Sequence, residues 1–112
     1  MNITYKNKKT EKQCTDIKKA KKDFSEVEAK KLLQQIAFIE AAESLEDIKA
    51  FQSLNFHKLT GSRTGQYSID INGRSSPYRL ILEFEGYDNT QIFGNASSIA
   101  IVQIEEVSKH YE

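Results

Sequence analysis

The chain has 112 residues, of which 38% are hydrophobic and 29% charged, and its 16 basic and 16 acidic residues leave no net charge. This length fits one compact domain, residues 1–112, that buries roughly two-thirds of the surface exposed by the unfolded chain, and the composition excludes a disordered protein. The single cysteine excludes an internal disulfide, and the absence of any run of about 18 apolar residues excludes a membrane-spanning helix. We therefore expect a protein of the reducing cytoplasm, with no membrane among its partners.

Charge is distributed unevenly along the chain. Residues 1–40 carry ten lysines against six acids, a balance of +4, whereas residues 41–112 carry six basic residues against ten acids, a balance of −4. Overall neutrality predicts weak binding to free RNA, because that binding depends on neutralising phosphates with Lys and Arg.

The amino-terminal part of the chain predicts an edge strand and a first helix. Ile3 to Tyr5 is short and β-prone. From about Thr10 to Lys22, apolar residues recur at helical spacing among lysines. These apolar positions are Cys14, Ile17 and Ala20. The lysines form either a solvated helix face or a surface that contacts an RNA backbone. Cys14 is interpreted as a plain helix residue because no His or second Cys lies near it in the sequence.

A capping box formed by Ser25 and Glu28 predicts a second helix that begins near Glu26. Its apolar stripe is expected to lie across a sheet, with a partner surface as the alternative interpretation. The stripe consists of Ala29, Leu32, Leu33, Ile36 and Ile39. A second capping box, which starts at Ser44, predicts a short helix through Phe51.

After Gly65 the apolar pattern alternates, which predicts a half-buried antiparallel strand. Tyr67, Ile69 and Ile71 are expected on one face, and Ser68, Asp70 and Asn72 on the other. Asn72-Gly73 predicts a turn, which residues 74–77 lengthen before a strand over about Tyr78 to Glu85.

Gly86 to Asn95 is predicted to be a loop, and the last strand covers about Ile99 to Val107. The nearly continuous apolar run in this strand predicts a central position, buried on both faces. Together the elements predict an α+β domain in which two amino-terminal helices pack on a small antiparallel sheet.

The segment from Leu54 to Arg79 carries the clearest functional signal. It contains His57 and all three arginines of the chain, with Asp70 as its single acid. The arginines are Arg63, Arg74 and Arg79. A local surplus of cations beside a group that titrates near neutrality suits the binding and cleavage of a phosphodiester.

The order and spacing of this segment resemble the RelE/ParE superfamily toxins, and among them the HigB type. From Leu54 the chain reads Leu-x-x-His-x-Leu-x-Gly-x-Arg-x-Gly-x-Tyr-Ser-Ile, and Asn-Gly, Tyr-Arg-Leu-Ile and a terminal His-Tyr follow. The resemblance implies a curved sheet with an active site on its concave side. It also implies a ribosome-dependent mRNA endonuclease of a type II toxin-antitoxin system, held inactive by a small helix-turn-helix antitoxin of the HigA kind, and cleaving without a metal or other cofactor.

Metal-free RNA cleavage requires a base for the 2′-hydroxyl, a cation for the phosphoryl oxygens and an acid for the leaving 5′-oxygen. The resemblance assigns the catalytic positions to His57, Arg79, His110 and Tyr111, with Arg79 binding the phosphate and Tyr111 available to stack on a base. The positions assigned to RNA binding are Lys58, Thr60, Arg63 and Arg74. Arg79 could instead pair with Asp70 or Glu83, Arg63 could form a structural salt bridge, and Tyr67 is expected to serve the core.

Two departures from the HigB pattern leave other functions open. Thr60 stands where the family has a second cation three residues after the histidine. The acid that often precedes the last histidine is either missing before His110 or replaced by Glu105 or Glu106. A non-catalytic member of the fold that binds antitoxin or ribosome, or a ParE-like inhibitor of DNA gyrase, are therefore the alternatives. No nucleotide-binding loop or conventional zinc pattern competes.

Overall fold

A computed structural model describes residues 1–74 and 76–109, and this part of the chain is an α+β domain built on a five-stranded mixed sheet. The helices are α1 (Lys8–Thr15), α2 (Ile17–Asp23), α3 (Glu26–Ala41), α4 (Leu45–Ala50) and α5 (Asn89–Gly94). The strands are β1 (Asn2–Tyr5), β2 (His57–Lys58), β3 (Tyr67–Asp70), β4 (Tyr78–Glu83) and β5 (Ile101–Lys109). Within these described ranges, no helix has both the length and the apolarity needed to cross a membrane.

The sheet has the strand order β1-β5-β4-β3-β2, so the predicted edge strand at Ile3 to Tyr5 is confirmed. The prediction of a purely antiparallel sheet was wrong, because β1 runs parallel to β5, with Asn2 opposite Ile101. The last strand lies inside the sheet as predicted, but it is not buried on both faces throughout, since 59% of Ile101 is exposed. Local alternation of apolar residues carries no information about which distant strand becomes the neighbour.

The single helix predicted from Thr10 to Lys22 is two helices that meet at Asp16. The backbone of Asp16 is extended, its N–H donates to the Lys12 carbonyl, and its carboxylate accepts the Lys18 amide. One residue therefore ends α1 and caps α2, a role that suits aspartate.

Helix α3 begins at Glu26 as predicted, and the Ser25 hydroxyl accepts the Glu28 amide at 3.2 Å. The prediction of a full capping box was wrong in its second half, because the Glu28 carboxylate instead accepts hydrogen bonds from Asn72 and Ser76 in the turn between β3 and β4. The helix thus holds this turn, and its apolar stripe packs into the core as expected. The core unites that stripe with one face of the sheet, through Leu32, Ile36, Ile39, Ile69, Leu80, Leu82, Val102 and Ile104.

The segment predicted as a loop from Gly86 to Asn95 contains α5. Asp88 and Gln91 form a complete capping box at its start, and Ile92 is fully buried beneath it. The capping pattern is visible in the sequence, but with a single buried anchor the helix lacks the apolar periodicity that usually identifies one.

Candidate functional site

The sheet has a second face, opposite the core, on which several predicted site residues converge. We call it the site face and define it by residues that the strand register places side by side: His57, Ser68, Asp70, Arg79, Ile81, Glu106 and Ser108. His57 lies opposite Ser68, and Arg79 lies opposite Asp70. The predicted base and the predicted phosphate ligand therefore share one surface, as the resemblance implied.

The polar side of β3 is more enclosed than its alternating pattern predicted. Ser68 is fully buried and Asp70 is 2% exposed, so these side chains do not face solvent as in a half-buried strand. Tyr67 is buried as expected and stacks on Phe56. Buried polar groups beside a histidine are the kind of environment that positions a side chain for proton transfer.

Both ring nitrogens of His57 have protein partners. Nδ1 lies 2.8 Å from the carbonyl oxygen of Asn55, and Nε2 lies 3.2 Å from the Ser68 hydroxyl. The Asn55 carbonyl oxygen can only accept a hydrogen bond, whereas the Ser68 hydroxyl can either donate or accept one.

Arg79 and Asp70 form a long ion pair. Arg79 Nε is 3.9 Å from Asp70 Oδ1, beyond hydrogen-bond length, and the side chains are 24% and 3% exposed. Among residues 1–74 and 76–109, the buried Oδ2 of Asp70 finds no hydrogen-bond partner. Arg79 thus forms the ion pair that was the alternative to phosphate binding, and its partner is Asp70, not Glu83.

Arg63 contacts the site face from the loop before β3. Its guanidinium donates to the Glu106 carboxylate and to Gln66 Oε1, the latter at 3.0 Å. The loop returns to the strand through Gly65, whose φ of +94° is a conformation that glycine adopts readily. The salt-bridge alternative for Arg63 is therefore present, and 38% of its side chain remains exposed.

The other predicted RNA-binding residues do not join this cluster. Lys58 pairs in register with Tyr67, which assigns it to the opposite side of β2 from His57. Thr60 and Arg74 are exposed in loops. The predictions for His110 and Tyr111 lie outside the described residues; β5 is described as far as Lys109, which pairs with Tyr78.

A cleft of about 520 Å³ adjoins the site face between α1 and β5. Its charged lining comprises Lys6, Lys9, Arg63, Lys109, Glu105 and Glu106. Lys6 binds Glu105 at 3.2 Å, so part of this charge is internally compensated. Lys6 and Lys9 were not predicted as site residues, and the surplus of lysines in residues 1–40 was the signal that pointed toward them.

A pair of carboxyl groups lies beside the cleft. Hydrogen bonding to Glu105, together with burial and the like charge, raises the pKa of Glu83. Burial opposes ionisation of Glu105, but hydrogen bonds from Glu83, Gln103 and Lys6 outweigh it and lower its pKa. A register shift next to Leu82 leaves Glu105 as the extra residue of a bulge, an arrangement that simple alternation cannot predict.

Two further observations concern the single cysteine and the residues that could bind a metal ion. Cys14 lies buried in α1, as its helical spacing predicted, and burial raises the pKa of its thiol to about 12. In the part of the chain that the structure describes, no three His, Cys, Asp or Glu side chains are grouped so as to hold a metal ion.

Both the sequence and the fold are similar to those of known toxins. Residues 4–95 match the family of RelE-like toxins of the type II toxin-antitoxin system HigB. The fold is similar to that of the YoeB-YefM complex from Staphylococcus aureus, at 21% identity, 99% coverage of this chain, 98% of that chain and a TM-score of 0.53. It is also similar to a YoeB/ParE toxin from Agrobacterium tumefaciens, at 12% identity, 99% and 100% coverage and a TM-score of 0.51. No curated protein sequence matches the chain.

Proposed function

The chain belongs to the RelE-like HigB family and is a toxin of the type II toxin-antitoxin kind, and we propose that it is a ribosome-dependent mRNA endonuclease that needs no metal ion. One observation carries this proposal: His57 and Arg79 lie on the same face of the sheet. These groups can supply the base and the phosphate ligand that cleavage requires.

In the proposed reaction, His57 Nε2 takes the proton of a ribose 2′-hydroxyl. The 2′-oxygen then bonds to phosphorus while the bond from phosphorus to the 5′-oxygen breaks, which leaves a cyclic phosphate and a free 5′-hydroxyl. Arg79 balances the charge that develops on the phosphoryl oxygens, a task that suits its planar guanidinium. We assign the protonation of the 5′-oxygen to His110 and the stacking of a flanking base to Tyr111.

We propose that the RNA backbone binds along the cleft beside the site face. Lys6, Lys9 and Arg63 all line this cleft, so cations from two separate parts of the chain meet there. A chain with no net charge has no strong overall field, so its attraction for phosphate must come from such local clusters. Dependence on the ribosome fits this arrangement, since the ribosome would present the mRNA to a protein that binds free RNA weakly.

We further propose that a small antitoxin inhibits the protein in the cytoplasm. A structural neighbour, the YoeB toxin of Staphylococcus aureus, is known in complex with YefM. By family analogy, the partner of this chain would be a helix-turn-helix protein of the HigA kind. Its binding to the toxin provides an assay for correct folding that does not depend on catalysis.

The strongest competing function is a non-catalytic member of the fold that retains antitoxin or ribosome binding. The observation in its favour is that both arginines at the site face pair with carboxylates, Arg79 with Asp70 and Arg63 with Glu106. Each carboxylate competes with a phosphate for the guanidinium. Thr60, which cannot neutralise a phosphate, also favours this function.

Induction of the protein in cells without its antitoxin separates the two functions. We expect growth arrest, with new mRNA 5′ ends that fall at a constant position within codons. His57→Gln should abolish both the arrest and the new ends while still binding antitoxin. Antitoxin binding by the unchanged protein, without arrest and without new ends, would support the non-catalytic function.

A further inference from the structure

The protein groups around His57 define which of its nitrogens can act as a base. We propose that Asn55 and Ser68 are positioning residues that hold neutral His57 with its proton on Nδ1 and its lone pair on Nε2. The catalytic consequence rests on the proposed function, whereas the tautomer itself does not.

Asn55 supplies the first constraint. Within the described residues it is the only one besides glycines with a positive φ, at 51°, and this left-handed conformation is one that asparagine tolerates better than most residues. Its N–H donates to the Gln52 carbonyl at 3.0 Å and closes the preceding turn. Its own carbonyl oxygen lies 2.8 Å from His57 Nδ1. The turn thus aims an obligatory acceptor at one side of the ring.

Ser68 supplies the second constraint. It lies opposite His57 in the sheet, is fully buried, and places its hydroxyl 3.2 Å from Nε2. A hydroxyl can donate to the lone pair of neutral imidazole and, after rotating, accept from the protonated ring. Ser68 therefore satisfies Nε2 in both protonation states, while the Asn55 carbonyl satisfies Nδ1 in both.

The length of the contact to Ser68 bears on catalysis. A separation of 3.2 Å is long for a hydroxyl donor, so this hydrogen bond is weak and can be exchanged. In the proposed reaction, a ribose 2′-hydroxyl takes the place of the Ser68 hydroxyl at Nε2. The proton leaves the 2′-oxygen for Nε2, and the proton on Nδ1 stays with the Asn55 carbonyl.

Nitrogen-15 NMR of the labelled, purified protein tests the tautomer directly, because two-bond couplings from the ring carbon protons show which nitrogen carries the proton. His57→Gln identifies the signals of His57. We expect only the form protonated on Nδ1 at a pH where the ring is neutral. A ring protonated on Nε2, or a mixture of the two forms, would overturn the proposal.

Matched variants test each constraint. Asn55→Gly keeps access to the left-handed conformation and should keep the tautomer, whereas Asn55→Ala strains that conformation and should give a mixture of tautomers. An unchanged single tautomer in Asn55→Ala would show that the asparagine side chain is not needed to aim the carbonyl at His57. Ser68→Ala should shift the Nε2 resonance, and Ser62→Ala, at an exposed position, should not.

The kinetic readout links these groups to the reaction. In the proposed reaction the 2′-hydroxyl displaces the Ser68 hydroxyl from Nε2. On ribosomes carrying mRNA, Ser68→Ala should therefore raise kcat/KM roughly fivefold, the factor that one neutral hydrogen bond is worth, because no bond to Nε2 has to be broken first. Equal resonances and equal kcat/KM for Ser68→Ala and Ser62→Ala would overturn the role of Ser68. A protein that shows the expected tautomer but cuts no mRNA would disprove the proposed function and leave the tautomer established.

Discussion

Arg79 and Asp70 face each other across β4 and β3, with Nε 3.9 Å from Oδ1. The arginine is partly exposed, whereas the carboxylate is buried and has one oxygen without a partner among the described residues. Arg79 therefore compensates a buried carboxylate that would otherwise destabilise the fold. Under the proposed function, a phosphate competes with Asp70 for the guanidinium.

Arg79→Ala should abolish mRNA cleavage and also lower the free energy of unfolding by about 1 to 3 kcal/mol, because it leaves the Asp70 charge buried without a counter-ion. Adding Asp70→Asn should restore much of the stability but none of the cleavage. Urea denaturation and a cleavage assay on the same samples measure both effects. Recovery of cleavage in the double variant would show that Arg79 acts only on stability.

His57→Gln should reduce cleavage by at least about 100-fold, the lower range of general acid-base catalysis. Its stability should change little, because His57 is only partly buried and glutamine can bond to the same neighbours. Thermal denaturation and antitoxin binding provide the controls. A variant that keeps the activity of the unchanged protein would remove His57 from the mechanism.

Glu83→Gln should stabilise the protein at pH 7 and have little effect at pH 4. The pKa of Glu83 is raised in the folded state, so ionisation costs stability as the pH rises from the unfolded value through the folded one. The amide removes that cost and can still donate to Glu105. Urea denaturation at both pH values measures whether the free energy of unfolding rises or falls, and Glu85→Gln, at an exposed position nearby, is the control. Destabilisation at pH 7 would contradict the assigned direction.

Lys9→Glu should weaken RNA binding, because Lys9 lines the cleft beside the site face. Lys18→Glu makes the same change in net charge at an exposed position on α2 and serves as the control. The salt dependence of binding should also fall for Lys9→Glu, by a slope of about 1 for each phosphate that the variant no longer neutralises. Equal binding by the two variants would exclude the cleft from the RNA path.

Most of the fold could be predicted because its signals are local. The Ser25 cap, the alternation from Tyr67 to Ile71 and the stripe of α3 each reflect a period or a hydrogen bond within a few residues. The break at Asp16 and helix α5 were missed, although capping residues mark both. In these short helices, the capping residues at the ends identify the helix better than the apolar periodicity of its middle.

The candidate site could be predicted only where it lies within one continuous segment. The motif around His57 includes Arg79, and the sheet places these two residues on one face. The contribution of Asn55, the burial of Ser68 and the approach of Lys6 and Lys9 all depend on contacts made by folding. No pattern within one segment of the sequence indicates a backbone carbonyl aimed at a ring, or a bulge that places Glu105 beside Glu83.

Cleavage of an mRNA by the purified protein on purified ribosomes tests the central claim most directly. We predict cuts in codon register with the unchanged protein, without added metal cofactor beyond what the ribosomes require, and none with His57→Gln. Intact mRNA in the presence of a folded, antitoxin-binding protein would contradict this claim.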